Sequence, residues 1–157
     1  MKPEPTSAAP VPGRREYPDR PIVGVGAVII DRGQVLLVKR GSPPLKGEWS
    51  LPGGAVELGE RLRAAAEREA QEETGLIVKA GEVIEVLDRI VPGAAGAPQY
   101  HYVLIDFLCT VKGGELRAGG DAADARWARE SELAKYKLEE PAQRVIRKAF
   151  LAANQHE

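Results

Sequence analysis

Apolar side chains come in separated stretches along this chain, and their spacing predicts its elements. The run Ile22-Val23-Gly24-Val25-Gly26-Ala27-Val28-Ile29-Ile30 is broken by Asp31-Arg32-Gly33 and resumes as Val35-Leu36-Leu37-Val38. Two such runs about a short Gly-containing turn predict a β-hairpin. The stretch 41–54, punctuated by Pro43, Pro44, Gly47, Pro52 and Gly53, predicts a long ordered loop. Residues 58–74 are dense in strong helix formers, and Gly75 stands where a helix would stop. Residues 76–91 are strand-like with an interruption at Gly81, and 92–98 form a Gly- and Ala-rich loop. The longest apolar run, 100–111, reads as a central strand with Asp106 its awkward acid. Near the end, Val145, Ile146, Ala149, Phe150 and Leu151 recur at helical spacing, with Pro141 suited to the first turn. Strands alternating irregularly with two helices predict an α/β fold, a mixed β-sheet flanked by helices.

With 157 residues, the chain suits one globular domain. Hydrophobic residues make up 43% and charged residues 29%, as in a soluble fold rather than a disordered or membrane chain. Lys and Arg number 22 against 23 Asp and Glu, so the net charge of −1 gives no global pull toward nucleic acid or an anionic bilayer. A polyanion would have to be held locally, with a metal as the bridge. No run of about 18 apolar residues is present to span a membrane, and no apolar core near the N-terminus marks a secretory signal, so a cytoplasmic location is expected. Cys109 is the sole cysteine, which excludes an internal disulfide, and its apolar setting reads as a buried structural thiol. Residues 1–20, with Pro3, Pro5, Pro10, Pro12 and Pro18 and no regular period, read as an extended flexible arm ahead of a folded domain at 21–157. Gly24 and Gly26 are not a dinucleotide fingerprint, because no third glycine opens a helix after them; close backbone approach or a bulge accounts for them better.

The chemistry concentrates on the predicted helix. At about 100° per residue, Leu62, Ala65, Ala66, Glu72 and Glu73 fall within roughly 60° of Glu69, while Arg63, Glu67, Gln71 and Thr74 fall on the far side. The apolar face of the first turns therefore runs into three carboxylates. Like charges three and four apart cost about 0.2–0.5 kcal/mol per pair, and burial adds more. Arg68 reaches Glu72 at i,i+4, but one guanidinium does not satisfy three acids. Mg²⁺ or Mn²⁺ would, since hard cations take carboxylate oxygens and keep positions open for water and phosphate. A solvated acidic helix end is the competing account. Zinc is disfavoured, because His101 and His156 are the only histidines.

The stretch Gly54-x5-Glu60-x7-Arg68-Glu69-Ala70-x-Glu72-Glu73-x-Gly75-Leu76 resembles the Nudix box at every defined position, with Ala70 smaller than the apolar residue often found there. Pro52, Gly53 and Trp49 also look like family members, and the likeness extends more loosely from about Pro21 to Phe150. The resemblance implies an α/β/α sandwich in which Glu69, Glu72 and Glu73 ligate metal and Glu60 is an additional or outer ligand. It further implies that Arg68 orients the carboxylates and that Gly54 gives the turn its freedom, with its carbonyl a possible ligand. A metal-activated water would then attack one phosphorus of a diphosphate while a carboxylate accepts the proton. That base comes either from the box or from a later loop, where Asp121 and Asp124 are candidates; two solvated loop acids fit those positions equally.

The segment 100–107 with Gly113-Gly114-Glu115-Leu116 is similar to the ADP-ribose pyrophosphatase-like subgroup, which implies a nucleotide substrate split to AMP and ribose 5-phosphate. Tyr100, Tyr102 or Trp49 would stack on a base and Arg40 would meet a phosphate, against the plainer readings of strand packing, core anchoring and solvation. Pyrophosphohydrolysis of normal or oxidised nucleoside triphosphates is the alternative activity, and a catalytically silent nucleotide sensor is a third reading, disfavoured by the complete acid set. A homodimer is expected from the same resemblance.

Overall fold

The computed structural model describes residues 14–43 and 45–155. In chain order these form β1 (Ile22–Asp31), β2 (Gln34–Arg40), β3 (Trp49–Ser50), β4 (Gly53–Ala55), α1 (Leu62–Thr74), β5 (Leu76–Pro92), β6 (Pro98–Gly114), β7 (Ala122–Arg129) and α2 (Glu140–Gln155). Short 3-10 segments occupy Ala94–Gly96 and Glu130–Tyr136.

The predicted hairpin of β1 and β2 closes through Ile30–Val35 and Asp31–Gln34 only. Beyond the turn the strands part. β1 runs parallel to β6 from Ile22–Tyr102 to Ile29–Cys109, and Gly24, Val25 and Gly26 also pair antiparallel with β4. β2 pairs instead with β3 and β7. The main path through the sheet is β3-β2-β1-β6-β5, so β6 is internal, as its apolar run predicted. Only glycine allows β4 this close to β1, since a Cβ on Gly53 would stand 2.2 Å from the Val25 carbonyl oxygen.

Alternation along the strands separates two cores. Ile105, Phe107 and Cys109 of β6 pack with Ala65, Ala66 and Ala70 of α1. On the opposite face, Val28, Val35 and Leu37 pack with Val145, Ile146, Ala149 and Phe150 of α2. Full burial of a residue such as Phe107 or Ile146 is worth about 1.5–3 kcal/mol. The result is a mixed sheet with a helix on either side, the α/β/α sandwich.

Four details depart from the sequence reading. Helix α1 begins at Leu62 rather than near residue 58, because Gly59 adopts φ +83° and Leu58 stays exposed. β5 continues through Gly81, where the register against β6 slips between Ala80 and Val83, so the interruption is a bulge. Asp124, expected in a loop, lies instead on β7, which runs in register with β2. The arm expected over residues 1–20 lies outside the described residues up to Gly13, but its last part packs. Tyr17 is buried, donates its backbone N–H to Gln99 O at 2.7 Å and accepts at Oη from the Ala94 N–H at 3.0 Å. Cys109 is buried and its thiol is pushed up to about 12, first by burial and then by the charge of Glu67.

Candidate active site

The acids of α1 lie at the margin of its buried face. That face is built by Ala65, Ala66, Ala70, Glu73 and Thr74, so it is turned toward Ala70 and Thr74 relative to the predicted stripe. Thr74, expected on the far side, is buried, with Oγ1 donating to Ala70 O at 2.6 Å. Leu62, expected inside, is exposed. Burial then grades across the carboxylates: Glu73 is 5% exposed, the Glu69 side chain 13% and that of Glu72 52%. All three line one cavity of about 430 Å³, together with Arg40, Arg68 and Asp121.

Backbone amides hold Glu73 and Glu60, and the Arg68 side chain holds Glu69 and Glu72. The Gly53 N–H donates to Glu73 Oε1 at 2.9 Å. Gly54 makes room for Glu69, since a Cβ there would meet the Glu69 carboxyl carbon at 2.5 Å. Arg68 donates to both oxygens of Glu60, Nε to Oε2 at 2.7 Å and Nη2 to Oε1 at 2.9 Å. It also donates from Nη1 to Glu69 Oε1 at 2.8 Å and to Glu72 at 3.3 Å, and from Nη2 to Ala55 O at 3.2 Å. One guanidinium thus ties the loop before α1 to the acids on it. Glu60 Oε1 further accepts the Glu57 N–H at 3.1 Å.

The electrostatics follow from this arrangement. The bidentate bond from Arg68 holds Glu60 down at about 2 and itself raises the guanidinium's affinity for its proton. Burial pushes Glu73 up to about 7, helped by the charges of Glu69 and Asp121 and opposed by the Gly53 N–H and Arg40. Glu69 is raised as well, first by burial and then by Glu72, against the pull of Arg68 and Arg15. Crowded, desolvated carboxylates of this kind are what a hard cation relieves. Their oxygens suit Mg²⁺ or Mn²⁺, and among the described residues no His or Cys lines the cavity. Among the described residues, however, no three His, Cys, Asp or Glu side chains already converge as a finished cage, because Arg68 holds Glu60, Glu69 and Glu72.

Of the later candidates, Asp121 reaches the cavity and Asp124 does not line it. The chain after β6 closes the end of α1, with Arg117 N–H donating to Thr74 O at 2.8 Å and Gly119 N–H to Glu73 O at 3.1 Å. Gly41 N–H then donates to Asp121 O at 2.7 Å, which sets that residue opposite Glu73. Asp124 lies on β7, where its carboxylate accepts from its neighbour Ala125 N–H at 2.8 Å and from Arg126 Nε at 3.1 Å. The aromatic candidates divide similarly. Tyr102 and Trp49 line the cavity, with Trp49 edge-on to Tyr136 at 5.0 Å between ring centroids. Tyr100 lies outside the lining, stacked on Tyr102 at 6.3 Å and donating from Oη to Glu16 at 3.3 Å. Sequence reasoning missed Arg15, the Arg89–Glu139 ion pair and Asp106 as wall residues; only Asp106 carried a signal, as an acid inside an apolar run.

A model of the NUDIX domain matches residues 20–149. The chain belongs to the Nudix family. An ADP-ribose pyrophosphatase from Methanocaldococcus jannaschii is 42% identical over 110 residues, 68% of this chain and 61% of that protein. An 8-oxo-dGDP phosphatase from Mus musculus is 32% identical over 92 residues, 59% of this chain and 26% of that one. The Nudix chain here therefore spans less than two thirds of either relative. A NUDIX hydrolase structure from Nitrosomonas europaea superposes with a TM-score of 0.71 at 21% identity, covering 85% of this chain and 90% of that one, a likeness of fold.

Proposed function

We propose that this Nudix protein hydrolyses the diphosphate bond of a nucleoside diphosphate joined to a second group, with ADP-ribose as the first substrate and AMP and ribose 5-phosphate as products. The observation that carries the reading is that Glu69, Glu72, Glu73 and Asp121 wall the same cavity as Leu51, Leu87, Leu104 and the ring of Tyr102. The 42% identity to the archaeal ADP-ribose pyrophosphatase supports the substrate.

Glu69, Glu72 and Glu73 would hold Mg²⁺ or Mn²⁺, with the Gly54 carbonyl and Glu60 as further oxygen donors. Bound there, the cation supplies charge neutralisation of the diphosphate and a more acidic water. Arg40 lies near enough to Glu73 to lower its proton affinity and is placed to meet a phosphate oxygen. Asp121, opposite Glu73, accepts the proton of the attacking water as it adds to one phosphorus and the other phosphate leaves. Arg68 keeps Glu69 and Glu72 aimed at the cavity. Tyr102 and Trp49 flank the nucleoside end.

The likeness to the mouse 8-oxo-dGDP phosphatase favours a second reading, cleavage of oxidised nucleotides in the same site. A panel of nucleotides with Mg²⁺ or Mn²⁺, assayed for AMP, pyrophosphate and phosphate, separates the two; faster turnover of ADP-ribose than of dGTP and 8-oxo-dGTP is expected. Reversed rates favour the second reading, and no turnover of any diphosphate sinks both. A cytoplasmic homodimer completes the proposal. It is supported by the 17-residue terminal strand β5, whose Val86 and Ile90 are exposed, and is checked by sedimentation. Among the described residues no helix is long and apolar enough to cross a membrane.

A further inference from the structure

Asp106 lies on β6 between Gly26 of β1 and Glu85 of β5, on the cavity wall facing α2. It is 6% exposed, and among the described residues no donor reaches its carboxyl within hydrogen-bond distance. Two cations stand next door on α2, yet both serve Glu85: Arg144 Nη2 lies 2.9 Å from Glu85 Oε2 and Lys148 Nζ 2.5 Å from Oε1. Since among the described residues no fully buried side-chain oxygen lacks a partner, the unpartnered Asp106 carboxyl opens onto the cavity it lines, where a ligand can reach it. Burial, with the charge of Glu85, pushes it up to about 6.

The backbone is fitted to this side chain. A Cβ on Gly26 would stand 2.0 Å from Asp106 Oδ1, so glycine lets the carboxyl lean across β1 into the cavity. The surrounding wall carries Leu51, Leu87 and Leu104, with Tyr102 two positions before Leu104 on the strand and Arg89, paired to Glu139, across from Tyr102 on β5. Leucine side chains beside one carboxyl that no neighbour engages, the nearby Arg89 being held by Glu139, suit a planar ring that carries a donor on its edge. A phosphate would be repelled by the carboxylate, and the diphosphate belongs at the Arg40 end of the cavity.

We propose that Asp106 reads the base of the substrate, accepting a hydrogen bond from an N–H donor on the edge of an adenine or guanine ring. The inference takes the ligand's class from the nucleotide reading above and adds the residue that selects the base. The test is calorimetric binding of AMP, GMP and purine riboside 5′-monophosphate, which lacks both the amino group and a ring N–H on that edge. Each is titrated into the full chain with Mg²⁺ as wild type, Asp106→Asn and Asp106→Ala, with a melting temperature recorded for each variant.

Wild type is expected to favour AMP or GMP over the purine analogue by about tenfold or more. Asp106→Ala is expected to bind all three alike, and Asp106→Asn, which keeps an acceptor but loses the charge, to retain a reduced preference. Equal binding of the three by wild type overturns the proposal. So does an unchanged ratio in Asp106→Ala or Asp106→Asn, which would indicate a ribose contact or packing alone. Failure to hydrolyse any diphosphate would remove the catalytic reading and leave this binding ratio standing, so the two fail separately.

Discussion

The backbone N–H of Gly53 donates to Glu73 Oε1 at 2.9 Å, joining β4 to the acidic end of α1. That bond engages a carboxylate that is nearly fully buried and raised to about 7. The site therefore keeps a group the fold would be more comfortable without.

Glu73→Gln preserves an acceptor for Gly53 and removes the buried charge. In chelator its melting temperature is expected to equal or exceed that of wild type, while kcat/KM with Mg²⁺ falls at least about a hundredfold. Loss of stability together with full activity would contradict a catalytic role for this acid.

Stability should also fall as pH rises. Glu73 moves from an ordinary 4.5 to about 7, and Asp106 from 3.8 to about 6. Between about 4 and about 7 the native state holds protons that the unfolded chain has released, so unfolding becomes easier with increasing pH. At about 1.4 kcal/mol per unit, the pair amounts to a few kcal/mol. Glu60, held down at about 2, acts in the opposite sense but only as pH falls below about 4.5. Urea denaturation in chelator at pH 5 and pH 8 reads the difference, with the lower midpoint expected at pH 8. Mg²⁺ should restore more at pH 8 than at pH 5.

The two glycines before α1 should respond differently to alanine. A Cβ at position 53 meets the carbonyl oxygen of Val25, which belongs to a paired strand and has nowhere to go. Gly53→Ala is expected to lower the melting temperature by several degrees, on the order of 2 kcal/mol. A Cβ at position 54 meets the end of the Glu69 side chain, which can swing away. Gly54→Ala should melt within a few degrees of wild type yet lose most of its hydrolysis.

Asp121→Asn should reduce kcat by about tenfold to a hundredfold or more, whereas Asp124→Asn should leave it within a factor of about two. The structural basis is that only Asp121 lines the cavity, while Asp124 is spent on Arg126 and its own strand. Equal effects would return the base to the acids of α1.

Much of this was legible in the chain, for reasons that differ by element. The acids of α1 stood out because helical phase placed them beside Ala65 and Ala66, and Gly75 marked the stop. The phase was off toward Thr74 because the α1 core is lined by small alanines, which mark a stripe weakly. β7 escaped notice because Ala122–Arg129 carries no β-branched residue; its seven register pairs with β2 impose the strand. Asp106 showed as an anomaly without a role, since nothing local says what faces it. The Arg89–Glu139 pair, separated by 50 positions, leaves no periodic trace at all.

The segment 117–121 is stitched to the end of α1 through Arg117 and Gly119, and to the chain after β2 through Gly41. Asp121 is thus pinned between helix and sheet, because Ala122 already pairs with Arg40. Any shear of α1 against the sheet would load both sets of bonds at once, so the two layers that supply the acids are clamped together at the place where they meet.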